Sequence, residues 1–323
     1  MSATSRGASL WQALAAAPAK GSVWLIVIGL YVAAGLITPA MFQIRQILNI
    51  LQVAAFLGAV AAGQTVALLV AGIDLSQAGV VTLTNILSTS VMMGQADRIA
   101  EGVAVCLFVA VIVGAVNGLF IAALGVTPLI VTLGMNSVLY GSALVYTGGA
   151  PRGAAPQAFQ VLGSGSLSGI PISMLIWIAL ALSLDWMMRR TVLGRWLYAV
   201  GANPRAAELM GVPVGAVLIL AYVISAVMAC VGGLLITAYI GAPSLGIGNQ
   251  FLLTSVAAVV VGGAALSGGV GSVVATIGGA IFITELASFT DIVRVSSGVQ
   301  FVIQGLIIAL SVLAYRRVSR AAQ

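Results

Sequence analysis

Apolar runs of about 20 residues return along this chain so often that little separates them but turns. Each has the length at which an α-helix, rising 1.5 Å per residue, crosses the hydrocarbon core of a bilayer. Composition agrees: 61% of the 323 residues are hydrophobic and 6% charged, against about 25% charged in soluble domains. So few charges cannot cover a surface in water. The reading is an all-α polytopic membrane protein with about ten transmembrane helices, some short or broken.

The apolar segments fall at 22–38, 47–70, 76–93, 99–124, 128–147, 172–188, 214–241, 250–266, 271–290 and 297–315. The third and ninth are short and read as partly re-entrant. Together they make one membrane domain over 22–315, flanked by an N-terminal tail, 1–21, and a C-terminal tail, 316–323. Ala15-Ala16-Ala17 precedes the first apolar run rather than following it, so that run reads as a retained helix and not a cleaved signal.

The basic residues give this count a direction. With the N-terminus cytoplasmic, six crossings return the chain inside before Arg195, and four more leave the C-terminus inside. Nine of the thirteen Lys and Arg residues are then cytoplasmic: Arg6, Lys20, Arg189, Arg190, Arg195, Arg205, Arg316, Arg317 and Arg320. Arg45, Arg98, Arg152 and Arg294 fall singly in outside loops. That is the asymmetry of the positive-inside rule, and it accounts for the net charge of +6 without nucleic acid.

The chain has no His, which excludes imidazole metal ligands and histidine-based catalysis. Cys106 and Cys230 sit inside apolar runs and read as small buried hydrophobes rather than a disulfide framework. Gly114 and Gly118 form a Gly-x-x-x-Gly pair suited to close helix crossing. Val70–Gly79 can be laid over Val261–Val270 with a shared Gly-x-x-Leu-Ser, either an internal repeat or a coincidence of small residues.

One segment, 189–213, interrupts the apolar pattern with charge. Asn203 suits an N-cap and Pro204 the first helical turn. Residues 204–210 then make about two turns, roughly 10 Å. Gly211 supplies a stop, with Pro213 beyond it. Such a helix, held at both ends against the membrane surface, exposes Arg195, Arg205 and Glu208, while Ala206 and Ala207 permit close approach. An ordinary charged loop is the other reading.

Thr191–Val212 resembles the cytoplasmic loop of sugar-type ABC transporter permeases, the ribose/galactose/xylose family, whose pattern falls here on Gly194, Arg195, Tyr198, Ala199, Gly201, Asn203, Ala206 and Ala207. Gly72-Ile73-Asp74-Leu75-Ser76 resembles a second family motif. Asn117–Gly134 resembles a third, including its Pro-x-Ile-x-Thr-Leu-Gly. The likeness runs over roughly 45–315. It departs from the pattern in two places: Gln77-Ala78-Gly79 replaces a usual Val-Gly-Ser, and Met210 stands where Ser is frequent.

The resemblance implies a permease subunit of an inner-membrane importer for a pentose or hexose. Its partners would be a cytoplasmic ABC ATPase, a periplasmic sugar-binding protein, a second permease subunit (a homodimer) and membrane lipid. The short helix at 204–210 becomes a coupling helix, resting on the ATPase through the residues above together with Pro204, Arg205, Glu208 and Gly211. A furanone signal or a nucleoside is the alternative cargo, and a secondary transporter or a non-transporting scaffold the rival class.

No covalent chemistry is expected in this chain. A Walker A motif needs Lys after Gly, whereas the single lysine, Lys20, follows alanine. ATP and Mg therefore belong to the partner ATPase, and no cofactor or metal is expected here. Asp74 reads as an N-cap for a helix beginning near Leu75, or as part of an inner gate. Glu285 faces the transport path, or pairs with a neighbouring helix or Arg294. Asn49, Gln64, Asn85, Asn117, Asn136 and Gln304 are the uncharged candidates for a sugar path or gate. Asp185 and Arg189 are spaced as a helix-end ion pair. The Gly/Pro/Ser-rich loop 147–171 reads as a flexible connector or a docking surface for the binding protein.

Overall fold

The computed structural model describes residues 19–306 apart from 297, 301 and 304. Gln304, most of the tenth apolar segment, both tails except residues 19–21, and Arg6, Arg316, Arg317 and Arg320 lie outside the described residues.

The helices follow the apolar segments. In chain order they are α1 Ala19–Ile37, α2 Ile44–Leu69, α3 Gln77–Met92, α4 Ile99–Leu124, α5 Pro128–Thr147, α6 Gln157–Ser164, α7 Ile172–Arg190, α8 Val192–Ala202, α9 Pro204–Leu209, α10 Val214–Ile240, α11 Phe251–Val261 and α12 Val273–Ile292. Among the described residues six helical stretches are long and apolar enough to cross a membrane: α2, Ala96–Leu124, α5, α7, α10 and α12. The chain is thus an all-α, multi-pass membrane protein.

Two helices form the centre. α10 packs on α2, α3, α4 and α6, and α2 packs on α7, α11 and α12. α5 stands at the outside of this set and leaves Ile130, Val138, Val145 and Tyr146 exposed, which suits a surface bathed in hydrocarbon rather than water. The Gly-x-x-x-Gly pair does what its spacing predicts. A Cβ on Gly114 would stand 2.5 Å from the Cα of Val223, and one on Gly118 2.5 Å from that of Ile219. Only glycine lets α4 lie backbone to backbone on α10.

Three expectations need correction. The eighth segment, not the ninth, is short. α12 runs a full 20 residues, whereas α11 stops after 11. Gly263, at φ +86, ends α11, and residues 262–272 run on without helix to α12. The apolar composition of Ala264 to Leu266 conceals that break from any reading by hydropathy. Next, the loop 147–171 is no loose connector. It holds α6, with Phe159 buried against α10, and a two-residue hairpin pairing Ser166–Leu167 with Ile170–Pro171. Finally, a helix unforeseen in sequence, α8, precedes Asn203.

Candidate functional site

The segment 191–213 folds as two short helices with a sharp corner. Thr191 caps α8, its Oγ1 accepting from the Gly194 N–H at 3.3 Å. Asn203 caps α9 in the same way, its Oδ1 accepting from the Ala206 N–H at 3.0 Å. At the far end Gly211 adopts φ +80. Its N–H donates to Glu208 O at 2.9 Å, and the Val212 N–H to Ala207 O at 3.0 Å. This pair of bonds is the Schellman arrangement, which closes a helix on a left-handed residue. Both ends of α9 are therefore fixed by hydrogen bonds its own sequence supplies.

Its surface is open. Asn203, Pro204, Arg205, Ala206 and Glu208 are exposed and Ala207 is buried. Leu209 and Met210 stand 85% and 84% exposed, a bare apolar knob beside charged groups.

α8 is the anchor. Gly194 lies against the Met188 carbonyl and Gly201 against the Leu69 carbonyl, with no room for a Cβ at either. The Tyr198 hydroxyl donates to Gly271 O at 2.9 Å. Arg189 pairs with Asp185 (Nε to Oδ2, 2.5 Å), as the spacing predicts, and also reaches Ser272 Oγ at 3.5 Å. Arg195 is exposed and Ala199 half-buried. Thus α8 rests on the end of α2 and on the 262–272 break.

Those two places are related. α2 ends at Leu69 with the Gly72 N–H on Ala67 O, 3.0 Å, and Ala71 at φ +59. α11 ends at Val261 with the Ala264 N–H on Val259 O, 3.2 Å, and Gly263 at φ +86. The helix ends correspond, one residue out of step with the sequence alignment of Val70 on Val261. They also touch: the Gly269 N–H donates to Leu69 O at 2.9 Å.

The first break, 70–76, carries a buried polar cluster. Asp74 is 0% exposed. Its Oδ1 accepts from the Ser76 N–H, 3.0 Å, and the Ser76 hydroxyl, 2.5 Å, and its Oδ2 from the Ser225 hydroxyl of α10, 2.6 Å. Asn117 of α4 donates to Ser76 Oγ at 2.9 Å. Gln77 donates to Ser225 Oγ at 2.9 Å and to Val60 O at 3.1 Å. With its amide turned so that the nitrogen faces the acceptors, Gln64 of α2 donates to Gln77 Oε1 and Asp74 O, both 3.0 Å, and accepts from the Asp74 N–H, 3.2 Å. Both oxygens of the Asp74 carboxyl thus find partners inside the protein. The helix starts at Gln77 with Ser76 at the cap position, so Asp74 braces the turn before the helix instead of capping one at Leu75.

The other candidates lie apart. Asn85, fully buried, donates to Thr237 Oγ1 (3.0 Å) and Ala242 O (3.2 Å) and accepts from the Ser244 N–H (2.7 Å), tying α3 to the chain after α10. Asn136 of α5 packs on Gly79. Asn49 is exposed at the opposite end of α2, in a groove of about 550 Å³ shared with Arg45, Gln46, Gln52 and Ser164. Glu285 is 1% exposed, and neither carboxyl oxygen has a partner among the described residues, Arg294 included. It lines an apolar cleft with Val27, Tyr31, Ile47 and Ile281. Sequence reasoning missed Ser225, a lone hydroxyl in the apolar run of α10, and took Gln77 only as a departure from pattern.

A polytopic helical bundle with two facing helix breaks and a capped helical corner between spans defines a transporter-like membrane protein. The family of branched-chain amino acid transport system permease components matches residues 46–312, and the chain belongs to it. It is 33% identical over 285 residues to the ribose import permease protein RbsC of Haemophilus influenzae, covering 86% of this chain and 87% of that one. Identity to RbsC of Bacillus subtilis is 32% over 301 residues, 90% of each chain. Identity to the galactose/methyl galactoside import permease protein MglC of H. influenzae is 33% over 309 residues, 90% of this chain and 91% of that one. No solved structure matches.

Proposed function

We propose that this chain is the membrane permease subunit of an ATP-binding-cassette importer that moves a monosaccharide, a pentose or hexose, across the inner membrane. The observation that carries this reading is the match along about nine-tenths of the chain to permeases named for ribose and galactose import. The chain works by alternating access, crosses the membrane about ten times and keeps both termini cytoplasmic. It pairs with a second copy of itself. ATP and Mg sit on a separate cytoplasmic ATPase, and a periplasmic protein delivers the sugar.

In this reading α9 is the coupling helix. A cap at Asn203, a Schellman turn at Gly211 and the close seat of Gly201 on α2 support it. A helix so fixed passes on a displacement that a loose loop would absorb. Arg205, Glu208, Leu209 and Met210 meet the ATPase. The groove beside Asn49, lined with amides, hydroxyls and Arg45, lies at the other end of α2 and receives the sugar. Asp74, Gln64 and Asn117 form part of the inner gate.

The test is reconstitution in vesicles with the ATPase and binding protein. ATP turnover and uptake are measured across binding proteins loaded with pentoses and hexoses. Stimulation of both by one sugar is the expected result. Uptake that proceeds without ATP would refute the proposal in favour of a secondary transporter.

A further inference from the structure

The interior cluster and the capped corner share a helix. α10 begins at Val214, three residues beyond Gly211, and carries Ser225, whose hydroxyl reaches Asp74 Oδ2 at 2.6 Å. The distance along the helix axis from Val214 to Ser225 is about 16 Å. Resting on the permease reading above, we infer that the Asp74–Ser225 hydrogen bond is the joint through which α10 delivers movement of α9 to the 70–76 break. Asp74 and Ser225 are positioning residues and need touch no cargo.

Three features single out this contact. The break has no regular backbone ladder of its own, so side-chain bonds determine where it sits. Asp74 holds it from two directions: Ser76 within the break on one oxygen, Ser225 from α10 on the other. Each serine is braced from behind, Ser76 by Asn117 and Ser225 by Gln77. An amide N–H, a hydroxyl and a carboxylate therefore form a chain on either side, and each serine spends its one hydroxyl proton on Asp74. All five side chains are buried, where a polar group left without its bond is costly.

The same corner also holds the second break. α8 seats Gly201 on Leu69 O, which accepts from Gly269 N–H, and Tyr198 bonds Gly271 O. A rigid shift of α8 and α9 thus reaches both breaks, the second by direct packing and the first by the seat on Leu69 and by α10. The Asp74–Ser225 bond is the separable part, because removing one hydroxyl leaves the packing of α10 in place.

The experiment uses the reconstituted complex of full-length permease, ATPase and binding protein, with the sugar that stimulates it. Ser225→Ala, Ser225→Cys and Ser225→Thr are compared for ATP turnover, sugar taken up per ATP, and thermal unfolding of the solubilised permease. Ser225→Ala is expected to keep ATP turnover within about twofold while uptake per ATP falls about tenfold. Thr restores the ratio and Cys, a weak donor, lies between. Asp74→Asn combined with Ser225→Ala loses no more than Ser225→Ala alone, as for two halves of one joint. An unchanged ratio in Ser225→Ala overturns the inference. So does a ratio that tracks unfolding temperature across the series rather than hydroxyl donation, and Cys and Thr decide this even if the Ala variant fails to insert. A wild-type complex that imports no sugar refutes the permease reading and the joint with it. A wild type that imports while Ser225→Ala keeps its ratio refutes the joint alone.

Discussion

The carbonyl oxygen of Leu69, in the last turn of α2, occupies the space where a side chain at residue 201 would begin. Gly201 is buried, and Ala206, five residues on, is exposed. Gly201→Val must push α8 off α2 and should destabilise the chain by about 1–3 kcal/mol, the ordinary range for overpacking. Ala206→Leu should leave thermal unfolding unchanged and weaken only the association with the ATPase. Unfolding in detergent with a binding assay separates the two, and equal loss of stability in both would contradict this geometry.

The caps of α9 give a second expectation. Asn203→Ala removes the acceptor for the Ala206 N–H and should cost about 1 kcal/mol. Gly211→Ala places a Cβ at φ +80, and should cost about 1 kcal/mol on the same helix. Because α9 is short, the loss shows as fraying: faster amide exchange over 205–209 in both variants, with α10 unaffected. Exchange unchanged in either variant would count against the capped description.

Much of this was legible in sequence, and what was not has a physical cause. Asn203, Pro204 and Gly211 act locally, through bonds within a few residues, so their spacing fixed α9 to within one residue of its end. Gly114 and Gly118 were legible because a small-residue pair has one common use between helices. The end of α11 was hidden because Gly262 and Gly263 are followed by apolar residues, and hydropathy is blind to backbone direction. Ser225 was hidden for the opposite reason. Its partner Asp74 is 151 residues away, and only the crossing of α10 over the first break brings the two together.

Glu285 supplies a prediction about stability. A carboxyl 1% exposed without a partner among the described residues, in an apolar cleft, costs solvation free energy that no bond returns. Glu285→Leu should therefore raise stability by about 1–3 kcal/mol, the cost of a buried polar group left without a partner. Glu285→Gln should gain less, because it leaves a buried amide. Thermal unfolding of the three proteins in one detergent checks the order, and a destabilised Leu variant would show that Glu285 has a partner after all.

Tyr198 makes the anchor of α8 sensitive to alkali. Burial, with a smaller push from Asp185, raises its hydroxyl above the usual tyrosine value. The unfolded chain therefore ionises first as pH rises. Stability from the Tyr198–Gly271 bond is whole below pH about 10, the unfolded value, and falls as pH climbs through the higher folded value. Tyr198→Phe should cost about 1 kcal/mol at neutral pH and flatten the alkaline fall. Unfolding curves from pH 8 to 11 of both proteins test this, and parallel curves would mean the hydroxyl is not held.

Leu209 and Met210 carry the sharpest expectation for the partner. At 85% and 84% exposure they add nothing to the fold, so replacing both with Ser should leave unfolding within about 0.5 kcal/mol. Burying such a side chain in an ATPase groove is worth about 1.5–3 kcal/mol. The double Ser variant should then bind the ATPase roughly a hundredfold or more weakly, each 1.4 kcal/mol being a factor of ten. Arg205→Ala, by contrast, removes a screened surface charge and should cost under tenfold, with a loss that shrinks as salt rises. Titration of the ATPase against the solubilised permease at two salt concentrations distinguishes these. Full affinity in the double Ser variant would place the ATPase contact elsewhere than the C-terminal end of α9.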